Sequence, residues 1–261
     1  MRFFDSHAHY WDERFLTETP SGVDALLSSL FDTSVSGIVN VGTNYETTRK
    51  AIEQAKQHPS MFVTGGIHPG DVSPDLSLDD LAAIWKPLLQ DAENKIVALG
   101  EIGLDYHYLP FDKERQWVFF EAQMQLAKEL SLPVIIHDRE AHGDSFNMVC
   151  RFPDVTGVFH SYSGSAEMAK DLIRRGYMIS FSGTLSFKNA RNVKEVAAVL
   201  PRECVMIETD APYLTPHPHR GRLNHSGYLT YTAEALAEAW GTTLEEVAIR
   251  TEENAKRFFR I

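Results

Sequence analysis

The 261-residue chain has only two cysteines, Cys150 and Cys204, too few and too far apart for a disulfide framework. A hydrophobic core must hold the fold instead, and a reducing, cytoplasmic setting is expected. Positive charge is also scarce. Its 25 Lys and Arg against 36 Asp and Glu leave a formal net charge of −11, which excludes broad non-specific attraction to nucleic acid or to an anionic membrane. A phosphate-bearing substrate would need local help from metal ions or a few placed arginines. No apolar run approaches bilayer length and no signal-peptide pattern opens the chain, so no membrane association is expected. Low-complexity tracts, internal repeats and linkers are missing as well. A single barrel over residues 1–261, favoured as a monomer, is expected.

What is present is an alternation. Strand-like runs occur at Phe3–His9, Gly37–Gly42, Phe62–Ile67, Lys95–Gly100, Pro133–His137, Gly157–His160, Tyr177–Phe181 and Cys204–Asp210. Helical spacing of apolar residues falls between them. It covers Val23–Phe31, Thr47–Gln57, a stretch opening near Ser77 with Asp79 and Asp80 in its first turn, Lys113–Leu130, Ala141–Phe152, Ser165–Arg175 and Ala190–Leu200. A polar loop from Pro212 to His225 precedes two closing helices, the last starting at Thr242 or Thr243 with Glu245 and Glu246 placed for a capping box. Eight strands alternating with helices predict an α/β fold, a (β/α)8 TIM barrel.

Potential metal ligands recur at the ends of these runs. His7 and His9 end the first and, two residues apart on a strand, share a face. Glu101 ends the fourth, His137 the fifth, His160 the sixth and Asp210 the eighth. In a parallel barrel these carboxyl ends meet on one face, where active sites of this fold lie. Four histidines and two carboxylates without a thiolate suit a divalent ion such as Zn, Mn, Co or Mg. Six ligands suit two divalent ions roughly 3.5 to 4 Å apart better than one, with Glu101 as bridge. Such a pair makes hydroxide available as nucleophile, and Asp210 could also orient or deprotonate the water.

The chain resembles the TatD family of metal-dependent deoxyribonucleases, among the amidohydrolase-like barrels. The motifs are Asp5-Ser6-His7-Ala8-His9, Gly66-Ile67-His68-Pro69, Gly100-Glu101-Ile102-Gly103-Leu104-Asp105-Tyr106, His137-Asp138-Arg139-Glu140-Ala141, His160-Ser161-Tyr162-Ser163-Gly164 and Glu208-Thr209-Asp210-Ala211-Pro212-Tyr213-Leu214. The resemblance implies a two-metal centre on those six residues and hydrolysis of DNA phosphodiesters, often from a 3′ end of single strands. It also implies that His68 and Glu208 line the centre, at a further metal or at the substrate phosphate, with Glu208 among the catalytic carboxylates. One stretch departs from the family pattern: where Asn-Glu-Pro is usual, this chain has Asn224-His225-Ser226. Hydrolysis of a small cyclic amide, lactone or ester at the same centre is the alternative, and a metal-stabilised binding protein without turnover is a third reading.

Other candidates carry two readings each. Arg139 and Arg220, just past strand ends, could bind phosphate bidentately, or could pair with neighbouring carboxylates, Glu140 or Asp144 for Arg139. Asp5 could support a ligand through a hydrogen bond or be a satisfied polar residue of the barrel. His217, His219 and His225 are expected as exposed imidazoles on a Pro-interrupted loop rather than as a metal site. Tyr106, Tyr108, Phe111 and Trp117 could offer a base a stacking surface, but packing of their loop against the following helix is expected.

Overall fold

The structure, a computed structural model, describes residues 1–261 apart from the side chains of Asp79 and Asp80. The two expected first-turn carboxylates therefore lie outside the described residues. In chain order the elements are β1 (Phe3–Ala8), α1 (Glu13–Glu18), α2 (Val23–Thr33), β2 (Val35–Val41), α3 (Tyr45–Gln57), β3 (Met61–Gly65), α4 (Leu78–Gln90), β4 (Ile96–Asp105), α5 (Lys113–Leu130), β5 (Val134–Arg139), α6 (His142–Cys150), β6 (Gly157–Phe159), α7 (Ala166–Arg174), β7 (Met178–Phe181), α8 (Arg191–Val199), β8 (Val205–Ile207), α9 (Leu229–Trp240) and α10 (Leu244–Phe259). The strands form one parallel sheet in the order β1 to β8. It closes where Ala8 bridges Ala211, with His9 N–H donating to the Ala211 carbonyl at 2.7 Å and Asp210 N–H to that of His7 at 2.9 Å. The fold is the predicted TIM barrel.

Two apolar layers hold it. Phe4, Val39, Val41, Ala98, Ile135, Val158, Met178 and Met206 fill the barrel interior, joined by Ala255 and Phe259 of α10. The alternate positions, such as Ile38, Met61, Val63, Val134, Ile136, Ile179 and Val205, join a larger cluster with the surrounding helices. The period of two that marks these runs as strands also divides their side chains between the layers.

β4 differs from expectation. The sequence suggests a strand ending at Gly100, but β4 continues to Asp105. Leu99 pairs with Val134 and Ile102 with Ile136, so three steps on β4 match two on β5 and a bulge lies at Gly100–Glu101. Glu101 is thus a bulged residue inside the strand. Beyond it Gly103 has φ 144°, and a Cβ there would sit 2.0 Å from the backbone oxygen of His137. Only glycine allows β4 and β5 to run this close.

Smaller departures have local causes. α1 is an extra helix, started by the Asp12 side chain accepting from Arg14 N–H. β8 stops at Ile207 rather than Asp210 because Thr209 N–H donates to the Asp5 carboxylate and Asp210 turns to φ 58°. Thr243 caps α10 by accepting from Glu246 N–H. Among the described residues no helix is long and apolar enough to cross a membrane.

Candidate metal centre

His7, His9, Glu101, His137, His160 and Asp210 come together at the carboxyl end of the barrel. Among the described residues, three groups offer donor atoms all within 4.8 Å of one another: His7, His160 and Asp210; His7, His9 and Glu101; His68, Glu101 and His137. The two oxygens of Glu101 face different histidines. Oε1 lies 2.7 Å from His137 Nδ1 and 2.8 Å from His160 Nε2, while Oε2 lies 3.4 Å from His7 Nε2 and 3.7 Å from His9 Nε2. Asp210 Oδ1 approaches the His7–His9 side, 3.6 and 3.3 Å from the two Nε2 atoms.

Hydrogen bonds behind the rings of His9, His137 and His160 fix which nitrogen each turns to the cluster. His9 Nδ1–H donates to the Val41 carbonyl at 2.7 Å, so in the neutral ring Nε2 is the lone pair that faces the cluster. His137 has Asp105 Oδ2 3.0 Å from Nε2, and His160 has Glu208 Oε1 3.2 Å from Nδ1; in both the opposite nitrogen points at Glu101. His68 is set the other way. Its Nδ1 accepts from Gly70 N–H at 2.9 Å, so the neutral ring carries its proton on Nε2, which faces Glu101 Oε1 at 3.7 Å. Burial, then the field of His137, pushes His68 down to about 3, so it is neutral at physiological pH.

The electrostatics keep the carboxylates charged. Burial alone would raise Glu101, but above all the charge of His160, with the hydrogen bond from His137, outweighs it and holds Glu101 well below the usual range. Asp210 is lowered in the same way: burial opposes, and His9, His7 and His160 prevail. Asp105 is held down to about 2, because its bonds with His137, His107 and Tyr108 overcome partial burial.

These residues fit divalent cations. The inward nitrogens of His137 and His160 lie too close to Glu101 Oε1 to be stable without a cation between them, a proton or a metal ion. The Nε2 atoms of His7 and His9 are only 3.1 Å apart, and the buried Glu208 Oε2 has no hydrogen-bond partner among the described residues. A set of imidazole lone pairs and carboxylates without sulfur is the donor chemistry of borderline to hard divalent ions.

The TatD related DNase family matches residues 4–260. This chain belongs to the TatD family. It is 40% identical to the uncharacterized metal-dependent hydrolase YabD of Bacillus subtilis over 260 residues, covering 99% of each chain. It is 33% identical to YcfH of Escherichia coli, an uncharacterized metal-dependent hydrolase, covering 100% of this chain and 97% of that one. The crystal structure of the TatD homolog YJJV of Escherichia coli superposes with a TM-score of 0.87 at 28% identity, over 100% of this chain and 98% of that one. The chain is thus a TatD-family metal-dependent hydrolase on a TIM barrel.

Other candidates land variously. Glu208 is fully buried and accepts from Ser161 N–H at 2.8 Å besides meeting His160. Among the described residues neither Arg139 nor Arg220 bonds to the cluster. Arg139 pairs with Tyr108 rather than with Glu140 or Asp144, and Arg220 lies over the Phe187 ring, 4.3 Å from its centroid. Asp5 turns to the β8 side, accepting from Thr209 Oγ1 at 2.6 Å, Ser226 Oγ at 2.7 Å and Thr209 N–H at 2.9 Å. Burial nevertheless pushes it up to about 6.

Two expectations need correction. Of the three loop histidines His217 is exposed; His219 and His225 are half-buried because both pack on Tyr228, His219 stacked at 4.5 Å and His225 tilted at 4.1 Å. Tyr106 stacks on Phe111 and Trp117 packs against the core as expected, but Tyr108 stays 65% exposed. Asp105 is the functional neighbour that sequence reading passed over. Its signal was the spacing, four residues beyond Glu101 and therefore on the same face of a strand.

Proposed function

We propose that this TatD-family hydrolase cleaves phosphodiester bonds in DNA, as a 3′–5′ exodeoxyribonuclease on single-stranded or terminal substrates, in the cytoplasm. The observation that carries the reading is the division of Glu101: one oxygen serves His137 and His160, the other His7 and His9. A carboxylate shared in that way suits a bridge between two divalent ions (Zn, Mg, Mn or Co), held by His7, His9, Glu101, His137, His160 and Asp210. Such a pair would supply an activated water and offset the charge on an attacked phosphoryl group.

The remaining roles belong to the chain. Asp210 is the more accessible of the two central carboxylates, with 13% side-chain exposure against 4% for Glu101, and it orients the water and takes its proton. Glu208 fixes the His160 ring. His68 presents a neutral Nε2–H and donates to a phosphate oxygen, which its tautomer permits and metal ligation does not. Arg139 and Arg220 supply local positive charge that the net charge of −11 withholds elsewhere. The shortage of such charge suits terminal substrates gripped at one or two phosphates.

The test is metal content by mass spectrometry together with digestion of a 3′-labelled single-stranded oligonucleotide in Mg, Mn or Zn, comparing wild type with Glu101→Ala. The expected result is about two ions per chain and stepwise shortening, both lost in the variant. A loaded wild-type protein that leaves the strand intact would overturn the nuclease reading and send the search to small cyclic or phosphorylated substrates.

A further inference from the structure

Tyr108 sits at the tip of the loop between β4 and α5. The loop is tied to the centre through one carboxylate: Asp105 Oδ1 accepts from the N–H groups of His107 at 2.8 Å and Tyr108 at 3.4 Å, while Oδ2 meets His137. From the other side Arg139, two residues beyond His137, holds the ring. Its guanidinium carbon lies 4.6 Å from the ring centroid and it donates to the Tyr108 hydroxyl at 3.0 Å. Of the other aromatic rings of this loop, Tyr106 is engaged with Phe111 and Asp144, while His107, bonded to Glu140, meets Tyr108 edge to face at 4.9 Å. Tyr108 keeps 65% of its surface open.

Exposure of one aromatic residue is ordinary. Here, however, the ring is oriented by two groups that both lead back to His137. The Tyr108 hydroxyl is also the only hydrogen-bond partner of the Arg139 guanidinium among the described residues, so its other N–H donors remain available. A largely open aromatic ring with a guanidinium over one face that keeps free donors matches a nucleotide: the exposed part of the ring takes the base, the cation takes the phosphate.

We propose that Tyr108 and Arg139 form a nucleotide subsite flanking the scissile bond, with the base stacked on Tyr108 and its phosphate on Arg139. This rests on the phosphodiesterase reading and adds the component that separates nucleotides from other phosphate esters. Because every base has a π-face, the subsite prefers a base over none without choosing among bases.

The experiment measures binding to the metal-loaded protein, which requires no turnover. Deoxyadenosine monophosphate and deoxyribose 5-phosphate are titrated into wild type, Tyr108→Ala, Tyr108→Phe and Arg139→Ala, after thermal melts confirm that each variant folds. Wild type is expected to bind the nucleotide about tenfold more tightly than the sugar phosphate. Tyr108→Ala should lose that preference, Tyr108→Phe should keep most of it, and Arg139→Ala should weaken both ligands by a similar factor. Equal affinity of wild type for the two ligands, or a preference unchanged in Tyr108→Ala, would overturn the subsite. The oligonucleotide digestion separates the two proposals. A Tyr108-dependent preference in a protein that leaves DNA intact keeps the subsite and removes the nuclease; digestion without that preference does the reverse.

Discussion

Asp105 and His137 form a carboxylate–imidazole pair, Oδ2 to Nε2 at 3.0 Å, whose opposite nitrogen lies 2.7 Å from Glu101. Asp105 would therefore set the tautomer and orientation of a proposed metal ligand. Asp105→Asn is expected to lower metal affinity by about tenfold to a hundredfold while the barrel stays folded. Chelator competition followed by mass spectrometry, with circular dichroism as the fold control, checks this. Unchanged affinity would show that Asp105 merely caps the loop through His107 and Tyr108.

Why Asp105 is hard to find from sequence, while His7 or Asp210 is not, follows from β4. Strands and helices are legible because burial imposes periods of two and 3.6 on local residues. The bulge at Gly100–Glu101 shifts the register, so the strand appears to end where it continues. The Asp5 contacts are hidden for a different reason: its donors Thr209 and Ser226 are 204 and 221 residues away, and no local pattern encodes such a pairing. His219 and His225 likewise owe their burial to Tyr228, a partner supplied only by the folded loop.

Ser226 ties the start of α9 to β1. Its hydroxyl donates to Asp5 Oδ2 at 2.7 Å and lies 2.7 Å from the Tyr10 hydroxyl, with all three side chains buried. Ser226→Ala removes a donor from a buried carboxylate and a partner from a buried phenol, so a loss of about 2 kcal/mol is expected. Urea unfolding at neutral pH measures it. A change below about 0.5 kcal/mol would mean that these groups find other partners.

His142 supplies a pH-dependent contribution outside the centre. The hydrogen bond from Nδ1 to Asp138 Oδ2 at 2.7 Å raises it above 6.5, against partial burial. Because the folded value exceeds the unfolded one, the stabilisation is fully present below pH 6.5 and is lost as pH rises through the folded value. Relative to wild type, His142→Gln should therefore be destabilised at acidic pH and nearly unaffected once the pH has passed the raised folded value. Unfolding free energies across that range test the sign. A difference growing toward alkaline pH would contradict it.

His68 and the metal-facing histidines differ in which nitrogen is free, and this separates two roles that share one position. With Nδ1 accepting from Gly70 N–H, His68 has a proton rather than a lone pair at Nε2. A donor aimed at a phosphate oxygen acts on turnover and leaves metal content alone. His68→Ala is thus expected to lower kcat/KM on an oligonucleotide by about tenfold to a hundredfold with the ions retained. His68→Gln, whose amide N–H can reach the same region, should recover part of the loss. If His68→Ala instead releases an ion, the ring must have rotated or changed tautomer to ligate metal, and its contact with Gly70 would not describe the loaded enzyme.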